Sequence, residues 1–132
     1  MNSPKCRVLC ADDHDDTCFM LSALLGSAGY EVSTAGSVAE AKRELSGARF
    51  DLVVLDNRFA DGSGVELCAW VREQAPQTPV VIYSGAAFGG DRDDGVCAGA
   101  AAYVVKPDIK GLVAAVGGLL RDGECATATA AQ

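Results

Sequence analysis

The chain has 132 residues, 49% of them hydrophobic, and a formal net charge of −7. That length suits one domain with a single good core, and the hydrophobic share excludes a disordered chain. The acidic balance, with no visible basic patch, argues against nucleic acid or an anionic membrane as a direct partner.

No run of about 18 apolar residues is present to span a membrane. Met1 to Lys5 leads straight into a strand without an apolar signal segment, so a cytoplasmic location is expected. Cys6, Cys10, Cys18, Cys68, Cys97 and Cys125 are scattered, with no C-x-x-C pair and a single histidine. Metal-site spacing is absent, and the expectation is free thiols acting as small hydrophobes in a reducing compartment.

Arg7-Val8-Leu9-Cys10-Ala11 reads as a buried strand that stops at Asp12-Asp13, with His14-Asp15-Asp16 beyond. Thr17 is the expected N-cap of a first helix, with Asp15 and Asp16 suited to its positive end. Leu21, Leu24, Leu25 and Ala28 share one face of that helix, and Gly29 stops it. Residues Tyr30 to Ala35 alternate as a second strand. Ser37-Val38-Ala39-Glu40 is a capping box that launches a second helix to about Ser46.

Val53-Val54-Leu55 is a third buried strand, ending on Asp56 and followed by the turn Asn57 to Gly64. Ser63 to Glu66 is another capping box, and its helix runs to Gln74 before Pro76. Pro79 to Tyr83 forms a fourth strand that ends on Ser84-Gly85. The Gly-rich stretch from Gly85 to Gly95 is poor in regular structure, with a short helix expected near Asp93 to Gly99. Ala101 to Val105 is a fifth strand, followed by Lys106-Pro107. The last helix carries a stripe at Ile109, Leu112, Val113, Val116 and Leu120, capped by Asp108. The reading is one domain over residues 5–123, with loose termini at 1–4 and 124–132.

Strands that alternate with helices over short connections call for a doubly wound α/β fold. A flavodoxin-like parallel sheet of order 2-1-3-4-5 with helices on both faces is the expected form. Its switch point lies between strands one and three, which gathers Asp12, Asp13 and Asp56, with Ser84 and Lys106 beside them. Clustered carboxylates repel, and a divalent cation relieves the conflict. All-oxygen ligands favour magnesium or manganese. His14 is read as an exposed loop residue in these surroundings. With a lysine and a hydroxyl nearby, the set suits a phosphoryl group attacked in line by Asp56.

The set Asp12-Asp13, Asp56, Ser84 and Lys106-Pro107 resembles the receiver domain of two-component response regulators. The spacers agree: Asp-x-x-x-x-Asp-Gly-Ser-Gly-x-Glu-Leu from Asp56, and Ala-Gly-Ala-x-x-Tyr-x-x-Lys-Pro from Ala98. The resemblance runs from Lys5 to about Arg121. It implies that Asp56 takes a phosphoryl group from a sensor histidine kinase, a phosphotransfer protein or a small phosphodonor. It also implies magnesium on Asp12, Asp13, Asp56 and the Arg58 backbone carbonyl, with Lys106 contacting the phosphoryl group. Ser84 and Tyr103 would form the switch, altering the face around the fourth and fifth helices, where a partner or second copy could pair.

Departures from the family pattern are Arg58, Phe59 and Ala60 after the acceptor, Asp15, where proline is common, and Gly85, where alanine is common. They leave open a phosphorylation-independent interaction module. A phosphatase is disfavoured because Arg58 stands where a second acid is needed, and a flavin protein has only the weak Gly85–Gly90 loop. The expectation is a non-enzymatic phosphoacceptor whose output passes through another protein or domain.

Overall fold

A computed structural model describes residues 5–85 and 99–120. Among the described residues there are seven strands: β1 (Arg7–Ala11), β2 (Glu31–Ala35), β3 (Leu52–Leu55), β4 (Arg58–Phe59), β5 (Gly62–Ser63), β6 (Val80–Ser84) and β7 (Ala102–Val105). The described helices are α1 (Asp15–Ser27), α2 (Val38–Gly47), α3 (Gly64–Gln74) and α4 (Ile109–Leu119). Five strands form one sheet in the order β2-β1-β3-β6-β7, every neighbouring pair parallel. With the short antiparallel ribbon β4-β5 set apart, this is the expected 2-1-3-4-5 order. The helix expected near Asp93 and both termini lie outside the described residues.

Strand β3 is apolar throughout, and β1 and β6 are so apart from Arg7 and Ser84 at their ends, because both faces are covered. Alternate residues divide between two cores. Val8, Cys10, Val54 and Tyr83 face Leu21 and Leu25 of α1 and Leu112 and Val116 of α4. Leu9, Val53, Leu55 and Ile82 face Ala41 of α2 and Leu67, Cys68 and Val71 of α3. The α4 stripe expected from spacing thus buries Leu112, Val116 and Leu120.

Local side-chain caps start α2, α3 and α4. Ser37 Oγ accepts from the Glu40 amide at 3.0 Å, and Ser63 Oγ from the Glu66 amide at 3.1 Å. Glu40 reaches back one residue beyond the usual box, to the Gly36 amide. Asp108 caps α4 by accepting from Gly111. Helix α1 begins two residues before the expected cap at Thr17. Its N-cap is His14, whose amide donates to the Asp12 carboxylate at 2.9 Å, so the acid at the strand end starts the helix. Gly29 ends that segment with φ of 102°, a conformation that favours glycine.

Cys10, Cys18 and Cys68 carry thiols, as expected, whereas Cys6 is disulfide-bonded, contrary to the reading of all six as thiols. Burial pushes the Cys10 thiol up to about 12, helped by Cys18 and Asp12, and leaves it inert. No helix among the described residues is long and apolar enough to cross a membrane.

Candidate phosphoryl and cation site

The sheet ladder runs one residue past its strands and so positions the acids. The Asp12 amide donates to the Ala35 carbonyl at 3.0 Å, the Asp56 amide to Ala11 at 2.9 Å and the Lys106 amide to Ser84 at 2.8 Å. Asp12, Asp56 and Lys106 therefore leave neighbouring strand tips at the carboxyl edge. The turn after Asp56 is tight. The Gly64 amide donates to the Asn57 carbonyl at 2.7 Å, and a Cβ on Gly64 would collide with the Asp56 carbonyl. Only glycine permits that approach.

The expected residues meet there. Asp12 is 2% exposed and Asp56 6%, while Asp13 stands toward solvent. Lys106 Nζ lies 2.7 Å from Asp12 Oδ2 and 3.7 Å from Asp56 Oδ2. Its ammonium thus binds Asp12 directly and only faces Asp56. Asp56 Oδ1 accepts from the Asn57 amide at 2.8 Å. Ser84 is buried at the end of β6 and, with Asp13, Asp56, Arg58 and Lys106, lines an open pocket of about 760 Å³. Tyr103 pairs with Ile82 in the sheet and packs into the core on the α3 side. Arg58 is exposed in β4.

One member escaped the sequence reading. His14 is exposed, yet its Nδ1 lies 2.8 Å from Asp12 Oδ1, 3.2 Å from Asp13 Oδ1 and 3.9 Å from Asp56 Oδ2. Its adjacency to Asp12-Asp13 was a signal, but the direction of its ring depends on Asp12 holding its amide.

Charge state follows from this geometry. Burial raises the Asp56 carboxyl above the ordinary carboxylate range, and Asp12 pushes the same way; Lys106 and the Asn57 amide only partly offset them. Burial alone would lower Lys106, but the hydrogen bond to Asp12 and the charge of Asp56 more than compensate, so its ammonium is reinforced. The hydrogen bond to Asp12, with the charges of Asp12 and Asp13, raises the His14 imidazole.

One ligand atom from each of Asp12, Asp13, His14 and Asp56 falls within a span of 4.8 Å. Asp56 Oδ2 faces Lys106 and His14 at more than hydrogen-bonding distance, an incompletely compensated buried acid. A small divalent cation fits that donor set. The arrangement supplies a carboxylate oxygen, an ammonium and room for a tetrahedral anion.

Known proteins resemble this chain in sequence and fold. The chain is 40% identical over 108 residues to the DNA-binding transcriptional activator DevR/DosR of Mycobacterium tuberculosis, covering 80% of this chain and 49% of that protein. It is 40% identical over 116 residues to the transcriptional regulatory protein PrrA of Mycobacterium leprae, covering 87% and 50%. The chain spans about half the length of these two curated relatives. Among solved structures, the response regulator TrrA of Thermotoga maritima, in complex with Mg(2+)-BeF, is 30% identical with a TM-score of 0.79, covering 87% of this chain and 99% of that one. The chemotaxis response regulator CheY4 of Vibrio cholerae is 30% identical with a TM-score of 0.82, covering 89% and 100%. The family model for the response regulator receiver domain matches residues 8–117, and the chain belongs to that family.

Proposed function

We propose that this receiver accepts a phosphoryl group on Asp56 and uses it as a signalling switch. The observation that carries the reading is Asp56 itself: a buried carboxylate raised by its surroundings, 3.7 Å from a reinforced ammonium. Asp12, Asp13, Asp56 and the Arg58 backbone carbonyl would hold Mg2+ or Mn2+. A bound cation supplies charge neutralisation for the carboxylates and for phosphoryl oxygens. Asp56 Oδ2, free of a close hydrogen bond, is the attacking oxygen. It forms the new bond to phosphorus while the bond from phosphorus to the donor breaks, and the donor leaves with that electron pair. Lys106 gathers charge on the transferred group, and the Ser84 hydroxyl donates to it. Tyr103, 8% exposed, in the core and opposite Ile82 on the neighbouring strand, carries the change to the neighbouring surface.

The donor is a sensor histidine kinase or phosphotransfer protein, and the chain works in the cytoplasm. The output passes through a partner protein or another domain rather than through DNA contact by this segment. Formation of an acyl phosphate and its hydrolysis are the chemistry it performs, with no separate substrate turned over.

Intact mass after incubation with Mg2+ and a small phosphodonor tests this. One phosphoryl adduct is expected on the wild type and none on Asp56→Asn, with a reduced yield on Lys106→Ala. An adduct that survives Asp56→Asn, or none with any of several donors alongside constitutive partner binding, overturns the reading.

A further inference from the structure

His14 is the chain's one histidine. Asp12 Oδ1 accepts from both the His14 amide, at 2.9 Å, and the ring Nδ1, at 2.8 Å. One carboxylate oxygen therefore pins backbone and ring together, aiming Nδ1 inward although the side chain is 68% exposed. The rest of the ring lies in water, so no packing force turns it toward the acids.

The spacing of the ring nitrogen from the acids also suits a shared cation. Two donors at about 2.1 Å from a six-coordinate cation stand about 3.0 Å apart when adjacent and about 4.2 Å apart when opposite. Nδ1 lies 2.8 Å, 3.2 Å and 3.9 Å from oxygens of Asp12, Asp13 and Asp56. Those separations are ones that ligands of one small cation also have.

We propose that His14 Nδ1 is a ligand of the divalent cation at this site, giving it a nitrogen donor that tilts selectivity from Mg2+ toward borderline transition metals. The inference rests on the cation site described above and names the class of metal it takes. Mg2+ is hard, keeps its water and gains little from imidazole, whereas Mn2+ and still more Ni2+ accept it. On binding, Nδ1 releases its proton to solvent and Nε2 keeps its hydrogen. Asp12, relieved of the ring, keeps the His14 amide and Lys106.

The test uses the full chain without a histidine tag, at one fixed pH, as wild type, His14→Ala and His14→Asn. Asparagine is a favoured N-cap and guards the start of α1. Spin-echo spectra of the Mn2+-loaded wild type should show modulation from an imidazole nitrogen, absent in both variants. Calorimetric titration should show the ratio of Ni2+ to Mg2+ affinity falling about tenfold on His14→Ala. An unchanged ratio and no nitrogen modulation, with Mg2+ binding and the adduct intact, would leave His14 as a hydrogen-bond partner of Asp12 only and overturn the proposal alone. If the wild type bound neither Mg2+ nor Mn2+ and formed no adduct, the phosphoacceptor reading would fall with it.

Discussion

Asp51 and Asp56 flank the same strand, β3, and both are buried, at 5% and 6% exposure. Their surroundings differ. Asp51, at the amino end, accepts from the Arg7 amide at 2.7 Å, and its own amide donates to the Arg7 carbonyl at 2.8 Å. It ties β1 to β3. Asp56, at the carboxyl end, has an amide on one oxygen, while the other faces Lys106 and His14 across gaps of 3.7 Å and 3.9 Å. The hollow beside Asp51 is the larger, about 1150 Å³, yet Asp51 is the one carboxylate among its lining residues. Size does not mark the site; an undersatisfied acid among other charges does.

Substitutions along this strand should separate structural cost from chemistry. Gly64→Ala should cost most, about 3 kcal/mol, because its Cβ meets the Asp56 carbonyl rather than a side chain that can yield. Urea unfolding measures it; a loss near zero would mean that the turn holding Asp56 can relax. Asp51→Ala should cost about 2 kcal/mol by orphaning the Arg7 amide, yet leave phosphoryl adduct formation unchanged. A lost adduct there would break the distinction between the two ends of β3.

Arg58→Ala should alter the acyl-phosphate lifetime severalfold while Mg2+ affinity holds, since the exposed guanidinium lines the pocket but its carbonyl survives the change. An unchanged hydrolysis rate refutes a role for the side chain.

The smallest effect concerns Asp61, whose carboxylate accepts from the Val38 and Ala39 amides at 2.9 Å and 3.0 Å and so caps α2 from the acceptor loop. Those two bonds hold its carboxyl below the usual range. A lowered folded value means stability present above the unfolded value of about 4 and lost as pH falls through the folded one. The wild type should exceed Asp61→Ala by a constant margin near neutrality, and that margin should close on acidification below about pH 4. A margin indifferent to acid would show that the charge contributes nothing.

Much of this was legible in the sequence because it is local or periodic. Apolar runs that stop at Asp12, Asp56 and Lys106 marked the strand tips. Ser37 and Ser63 with their glutamates marked helix starts, and the alternation of strands and helices gave a parallel sheet, whose order is the common flavodoxin-like one. What stayed hidden depends on contacts distant in sequence or on rotamers. Asp61 caps a helix more than twenty residues upstream. Lys106 takes Asp12 as its near partner and Asp56 as its far one, a choice of about an ångström that no spacing encodes. The β4-β5 ribbon is two residues a side, too short for a period. The early start of α1 and the inward His14 ring share one cause, the Asp12 carboxylate bending back onto the next turn.

The central claim is that the ionised Asp56 is held at a cost which a cation relieves. Thermal midpoints of the wild type and Asp56→Asn, with and without saturating Mg2+ at neutral pH, test it most directly. Because burial raises the Asp56 carboxyl, ionisation weakens the metal-free fold, and Asp56→Asn should be the more stable. Mg2+ should raise the wild type well above its metal-free midpoint, narrow or reverse that gap, and move the variant much less. Asp56→Asn melting below the wild type without metal, or equal shifts of both proteins on adding Mg2+, would contradict the account.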